Sequence, residues 1–179
     1  MDGAVIMGTG QQPAALVKAG LGITYLSMLR RGSRGRSRFL NNMTCAGFAK
    51  RYPDNAHTGS WMSRDPQVLI MALADPKMNY EFTLNAFESL FRTVEEVVDV
   101  RRAAKMPKEL PLLVLSGDKD PVGENGKGVR RFGAMLKKLR MKNVTYTLYS
   151  ENRHELIHDL DKEQVMQDIL NWCSQIEKR

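Results

Sequence analysis

The C-terminal part of the chain has the clearest pattern of hydrophobic and polar positions. Residues 112–115 are a continuous apolar run, which is typical of a strand covered on both faces. Apolar residues then recur at helical spacing over 129–139, and residues 143–149 alternate in polarity. A second amphipathic helix is predicted from about Asp161, which suits the N-cap position. Strand, helix, strand and helix at these lengths predict a parallel α/β sheet.

The N-terminal part of the chain has a weaker pattern. Residues 2–8 form one more candidate strand, and short helical patterns then alternate with glycine and proline breakers. These helical patterns cover residues 13–31, 37–51, 65–73 and 83–100. None carries a long apolar stripe, so we expect residues 11–108 to be a helical lid that lies on another body. The sheet-containing core would then consist of residues 1–10 and 109–179.

Composition places the chain among globular proteins. Its 179 residues are 42% hydrophobic, which is enough for the core of one domain or of part of a larger one. No apolar run approaches the roughly 18 residues needed to span a bilayer, and the N-terminus lacks the basic segment of a secretory signal. We therefore expect a cytoplasmic location and reduced thiols at Cys45 and Cys173, with Cys173 on the apolar face of the last helix.

The net charge of +7 is concentrated in one arginine-rich segment. Five arginines fall within nine residues, interleaved with glycine and serine: Arg30, Arg31, Arg34, Arg36 and Arg38. Such a segment suits phosphate groups or an anionic membrane surface. Since no aromatic stacking platform or nucleic-acid motif accompanies it, we expect peripheral membrane contact rather than nucleic-acid binding.

Two polar residues follow the two strands predicted in the C-terminal part. Asp120 follows the first of them and His154 follows the second. Because functional groups collect at the carboxyl ends of parallel strands, we expect both side chains at one edge of the sheet. A carboxylate there fixes the tautomer of a histidine, which then takes a proton from a serine hydroxyl. The pattern alone leaves alternatives open, since Asp118 is a rival acid and a histidine after a strand is often an ordinary surface residue.

Several separated segments of the chain resemble sequence motifs of one enzyme family. The run Gly117–Val129 contains the Asp120 loop, Arg153–Glu155 contains the histidine, and residues 2–13 contain the first strand. The segment between them carries Trp61–Asp65, Asp75-Pro76 and Phe82-Thr83. Together they resemble the acid loop, histidine loop, lid-entry strand and lid of the lysophospholipase and monoacylglycerol-lipase-like α/β-hydrolases, a serine-aminopeptidase-type branch. The resemblance runs from the sixth strand of that fold to the C-terminus.

The resemblance implies a partial α/β-hydrolase fold with a helical lid insertion. By the same resemblance, Asp120 is the acid and His154 the base of a catalytic triad, with no metal or organic cofactor. The implied reaction is hydrolysis of lipid-like carboxylic esters, such as lysophospholipids or monoacylglycerols, through an acyl-enzyme. A peptidase of the same branch is an alternative.

The triad implied by the resemblance lacks its nucleophile here, because no G-x-S-x-G elbow occurs in the sequence. We expect that elbow upstream of Met1. Ser116 lies within a strand and Ser63 within the lid, so neither has the strained turn that exposes a nucleophilic oxygen. The chain alone is therefore expected to be inactive, and a non-catalytic truncated product or binding module is the alternative. The strand at residues 2–8 would present an unpaired apolar edge, which favours self-association.

A second motif overlaps the histidine. His154-Glu155-Leu-Ile-His158 has the H-E-x-x-H spacing of zinc proteases. That spacing works only within an α-helix, where both histidines share one face. Here a strand and a polar turn lead directly into His154, and Asp161 and Gln164 replace the Gly and His of the extended zinc motif. A zinc hydrolase is accordingly the less favoured alternative.

Overall fold

The structure, a computed structural model, describes residues 2–52, 59–78, 80–97 and 99–177. Met1 and residues 178–179 of the predicted core, and residues 53–58, 79 and 98 of the predicted lid, lie outside the described residues. The chain divides into two compact units. The sheet unit comprises Met1–Gln11, Trp61–Val68 and Ala104–Arg179, and the helical unit comprises Gln12–Ser60 and Leu69–Ala103. Residues 61–68, from the segment expected to form a lid, thus belong to the sheet unit.

The sheet has three parallel strands in the order β1-β2-β3. They are β1 (Ala4–Met7), β2 (Leu112–Gly117) and β3 (Val144–Tyr149). Every residue of β2 is buried, as the continuous apolar run predicted, and β2 is the central strand with a partner on each side. The predicted α/β class with a parallel sheet is confirmed. Among the described strands β1 pairs with β2 alone, and self-association along its edge stays a prediction.

The helices follow the predicted segments, except that the segment 37–51 holds two helices and a separate short helix begins at the end of the segment 83–100. In the described residues they are α1 (Ala14–Arg31), α2 (Arg38–Met43), α3 (Cys45–Ala49), α4 (Pro66–Ala74), α5 (Leu84–Val97), α6 (Val100–Ala103), α7 (Lys127–Lys138) and α8 (Lys162–Glu177). The single helix expected over 37–51 is interrupted at Thr44, whose backbone leaves the helical region and whose hydroxyl donates to Leu40 O at 2.9 Å. Within the described ranges, no helix has the length and apolar character needed to cross a membrane.

Each unit has its own hydrophobic cluster. In the sheet unit Leu113 and Leu115 of β2 pack with Leu156 and with Val165 of α8. In the helical unit Leu84 and Phe87 of α5 pack with Leu40 of α2, and aromatic and aliphatic side chains of the same unit surround them. The helical unit therefore buries a core of its own, which its dispersed apolar residues did not predict.

The placement of Cys173 on the apolar face of the last helix is wrong, because this side chain is exposed on α8. At about 100° per residue, Trp172 lies within about 20° of Val165 around the helix, whereas Cys173 lies about 80° away. Val165 is fully buried and Trp172 packs against the same cluster. The apolar stripe is thus narrower than the run of apolar letters indicates.

Candidate active site

The loops that follow β2 and β3 leave the sheet side by side. Gly117 at the end of β2 is in register with Tyr149 at the end of β3. Backbone hydrogen bonds continue past the strands, from Asp118 N to Tyr149 O at 2.9 Å and from Lys119 N to Asn152 O at 3.0 Å. The two loops are therefore held together, as neighbouring parallel strands require.

Asp120 and His154 meet at this edge of the sheet. His154 Nδ1 lies 3.1 Å from Asp120 Oδ2, and the Asp120 side chain is fully buried. The other carboxylate oxygen, Oδ1, accepts a hydrogen bond from Val122 N at 2.8 Å, which fixes the carboxylate plane. An Nδ1–H that donates to Asp120 leaves the Nε2 lone pair of the imidazole available as a base. The structure thus brings together the two residues that the sequence pattern paired.

The electrostatics of the pair favour a charged imidazole. Burial of the ring lowers the pKa of His154. The hydrogen bond and the negative charge of Asp120, together with the charge of Glu155, raise this pKa by more than burial lowers it. The net pKa lies above the ordinary value of histidine. The site therefore stabilises the imidazolium that forms when the base accepts a proton.

The rival acid, Asp118, contacts a different group. Its carboxylate Oδ1 accepts a hydrogen bond from the backbone N–H of Glu151 at 2.8 Å. Among the described residues, the one hydrogen bond of the His154 ring is its contact with Asp120. Asp118 accordingly ties the β2 loop to the β3 loop, while Asp120 contacts the base.

Glycine at two positions lets the backbone approach the histidine loop closely. A Cβ on Gly8, whose φ is +60°, would lie 2.9 Å from His154 Cε1. A Cβ on Gly117 would lie 1.9 Å from the carbonyl oxygen of Asn152. The sequence indicates only that Gly8 ends a strand. Its close approach to His154, which is distant in the chain, leaves no local sequence signal.

A buried ion pair that the sequence analysis missed closes the histidine loop. Asp159 is fully buried, and its Oδ1 accepts from Arg64 Nε at 2.9 Å and from Arg64 N at 3.1 Å. Its Oδ2 accepts from Arg153 N at 2.9 Å, one residue before His154. Arg64 also donates to Asn152 Oδ1 at 2.9 Å and to Asp161 at 2.6 Å. One guanidinium thus ties residues on both sides of the base.

The segment around Arg64 braces the same loop through its backbone. Glu155 N donates to Met62 O at 2.8 Å, and the buried Ser63 hydroxyl donates to His158 O at 2.7 Å. The Trp61 ring lies 5.1 Å from the His154 ring, centroid to centroid. Residues 61–65 therefore hold the loop that carries the base.

Replacing Arg64 with methionine is expected to lower the free energy of unfolding of the sheet unit by about 2 kcal/mol. Loss of one partner leaves the Asp159 carboxylate buried, although its remaining backbone donors keep the cost below that of a fully stranded charge. Urea denaturation followed by tryptophan fluorescence measures this, because both tryptophans, Trp61 and Trp172, lie in the sheet unit.

The matched control for Arg64→Met is Lys142→Met. Lys142 forms an ion pair with Glu109 in the same unit, but both side chains are about two-thirds exposed. Its loss is expected to change stability by less than about 1 kcal/mol. Equal effects of the two substitutions would contradict a structural role for the buried pair.

The hydroxyls of Ser116 and Ser63, which lie near the site, are hydrogen-bonded to groups other than the imidazole. Ser116 is buried in β2, and its hydroxyl donates to Asp120 Oδ2 at 3.5 Å, on the acid side of the pair. Ser63 Oγ donates to His158 O and accepts from Asp65 N at 2.9 Å. Neither hydroxyl is hydrogen-bonded to the imidazole.

The zinc-protease geometry is not formed by the H-E-x-x-H residues. Leu156–His158 is a short 3₁₀ helix rather than part of an α-helix, so the two histidines do not share the face that zinc requires. His158 Nδ1 instead lies 3.1 Å from Glu155 Oε2, while His154 Nδ1 faces Asp120. The described residues contain no cluster of three histidine, cysteine or acidic side chains fit to hold a metal ion.

Comparisons with known proteins bear on the family and the fold of the chain. The profile of the family described as serine aminopeptidase, S33, matches residues 2–161. A thermostable carboxyl esterase from Bacillus coagulans, solved in complex with glycerol, is 22% identical with a TM-score of 0.79, and the match covers 98% of this chain and 57% of that one. A lipase in its open form is 22% identical with a TM-score of 0.82, covering 100% and 58%. A soluble variant of monoglyceride lipase from Saccharomyces cerevisiae is 16% identical with a TM-score of 0.62, covering 98% and 54%.

These matches confirm the predicted family resemblance and the partial fold. At such identities the solved structures show the fold alone, and the chain spans little more than half of their length. The sequence matches no curated protein.

Proposed function

Because the chain belongs to the serine aminopeptidase S33 family of α/β-hydrolases, we propose that it supplies the acid and the base of a serine hydrolase for carboxylic esters. The 3.1 Å contact between His154 Nδ1 and the buried Asp120 carboxylate carries the proposal. The substrates are lipid-like esters such as lysophospholipids and monoacylglycerols. A carboxyl esterase, a lipase and a monoglyceride lipase share the fold, which supports that substrate class.

In the proposed mechanism Nε2 of His154 takes the proton from a serine hydroxyl as the serine oxygen attacks the ester carbonyl. Asp120 holds the ring and stabilises the imidazolium, which then donates its proton to the departing alcohol. Water attacks the acyl-enzyme in the second half, gives its proton to His154, and releases the carboxylic acid as the serine recovers its proton. The serine comes from outside these 179 residues, since they contain no G-x-S-x-G elbow. The helical unit, Gln12–Ser60 and Leu69–Ala103, serves as the lid.

A chimera tests the roles of Asp120 and His154. Residues 2–177 of this chain replace the matching portion of the Bacillus coagulans esterase, whose remaining part supplies a nucleophile. We expect the chimera to hydrolyse p-nitrophenyl butyrate, and His154→Ala to reduce kcat by at least about a thousandfold. His158→Ala is the matched control, because the His158 ring pairs with Glu155 and its backbone contact with Ser63 does not depend on the side chain. This variant is expected to leave the rate within about twofold.

The chain alone provides the second arm of the test. Intact-mass spectrometry after exposure to a fluorophosphonate probe is expected to show no adduct, whereas the chimera is labelled once. An adduct on the chain alone that His154→Ala abolishes would show that a serine within it is activated. A chimera that is folded by circular dichroism yet unlabelled and inactive would refute the catalytic assignment and favour a non-catalytic binding module.

A further inference from the structure

The helical unit exposes arginines next to large apolar side chains. Leu29 is 85% exposed and Leu26 is 66% exposed, and both lie on one face of α1 with Arg30, at spacings of three and four residues. Phe39 of α2 is 59% exposed and lines a cleft with Arg38. The term basic surface is used below for the exposed side chains of α1, of α2 and of the loop between them, which are Leu26, Leu29, Arg30, Arg34, Arg38 and Phe39.

Two of the five clustered arginines hold the loop between α1 and α2 in place. Arg31 Nη1 donates to Arg36 O at 2.9 Å, and Arg36 Nε donates to Glu81 O at 3.2 Å. The loop backbone is also fixed on the start of α5, because Leu84 N donates to Gly35 O at 2.8 Å. The loop is therefore anchored by hydrogen bonds to neighbouring residues.

The side chains of the other three arginines make no hydrogen bond or ion pair with the rest of the described chain. Arg30, Arg34 and Arg38 are exposed. Glu81 is the acidic residue that lines the cleft beside Arg38, and Arg31 and Arg36 line it too. Positive charge thus prevails in the cleft. A single exposed leucine is ordinary on a protein surface, whereas three exposed large apolar side chains beside three uncompensated arginines indicate a binding function.

We propose that the basic surface docks on membranes that contain anionic phospholipids. Arginine guanidinium groups bind lipid phosphates, while exposed leucine and phenylalanine side chains enter the boundary between headgroups and acyl chains. A nucleic acid would use the charge but leave Leu26 and Leu29 in water. The docking surface goes beyond the proposed hydrolysis, and its test requires no activity, so failure of either leaves the other standing.

Co-sedimentation of the whole chain with lipid vesicles tests the docking surface. Binding is expected to vesicles of phosphatidylcholine mixed with phosphatidylglycerol, to weaken as salt is raised, and to be much weaker with phosphatidylcholine alone. Since each arginine near an anionic surface contributes about a factor of five, the triple variant R30Q/R34Q/R38Q should bind on the order of a hundredfold more weakly. Leu29→Gln should also weaken binding, because its side chain would no longer enter the bilayer.

The matched control is K137Q/K138Q/R140Q, which removes the same charge from an exposed stretch at the end of α7 in the sheet unit. This variant is expected to bind within about threefold of the unmodified chain if docking is local. Equal losses in the two triple variants, or equal binding to neutral and anionic vesicles, would overturn the proposal. Binding to single-stranded RNA without binding to anionic vesicles would overturn it in favour of a nucleic-acid surface.

Discussion

Replacing Gly117 with alanine is expected to lower the free energy of unfolding of the sheet unit by about 3 kcal/mol. The added Cβ would lie 1.9 Å from Asn152 O and 2.5 Å from Arg153 O. Both are backbone atoms of the loop that carries His154, so no side-chain rotation relieves the overlap. The loop must move away from the end of β2, and the His154–Asp120 contact is expected to break with it.

Gly133→Ala is the matched control for Gly117→Ala. Gly133 lies inside α7 of the same unit, and a Cβ there would meet no atom within 4 Å. Alanine in a helix interior should stabilise the unit by about 0.5–1 kcal/mol. Urea denaturation followed by tryptophan fluorescence measures both variants. The explanation fails if Gly117→Ala is as stable as the unmodified chain, or if both alanines change stability by the same amount.

The sheet and the Asp120–His154 contact were accessible from the sequence because their signals are local. A continuous apolar run marks β2, and an alternating run marks β3. Once both are parallel neighbours, the residues that follow them must share an edge of the sheet. The resemblance to the family motif then favoured Asp120 over Asp118 as the acid. In the structure these two carboxylates have different contacts.

The brace around the base was not accessible, because it joins residues that are far apart in the chain. Arg64 and Asp159 are separated by 95 positions, and neither stands in a periodic pattern that indicates burial. A charged residue is expected at the surface unless its partner is known, so the burial of Asp159 contradicts the usual preference. The placement of residues 61–68 in the sheet unit has the same origin, since their role depends on distant backbone contacts.

Replacing Asp120 with asparagine is expected to move the pKa of His154 from above its ordinary value to below it. Burial of the imidazole is the largest single influence and lowers the pKa, and at present the hydrogen bond and charge of Asp120, together with the charge of Glu155, outweigh it. Asparagine has nearly the same shape but no charge, so burial prevails over the smaller effect of Glu155. NMR titration of the imidazole Cε1–H measures this, with His154→Ala to assign its resonance among three histidines.

The same substitution is expected to reverse the contribution of His154 to stability as a function of pH. In the unmodified chain the folded pKa is raised, so the stabilisation is fully present below the unfolded pKa of about 6.5 and is lost as pH rises through the folded pKa. In Asp120→Asn the folded pKa is lowered, so the buried neutral ring destabilises the fold progressively as pH falls below about 6.5. Asp118→Asn is the control, because it removes a neighbouring carboxylate that binds Glu151 N and should leave the His154 pKa raised. If both variants titrate alike, the charge that tunes the base does not come from Asp120, and the assignment of this residue as the acid is wrong.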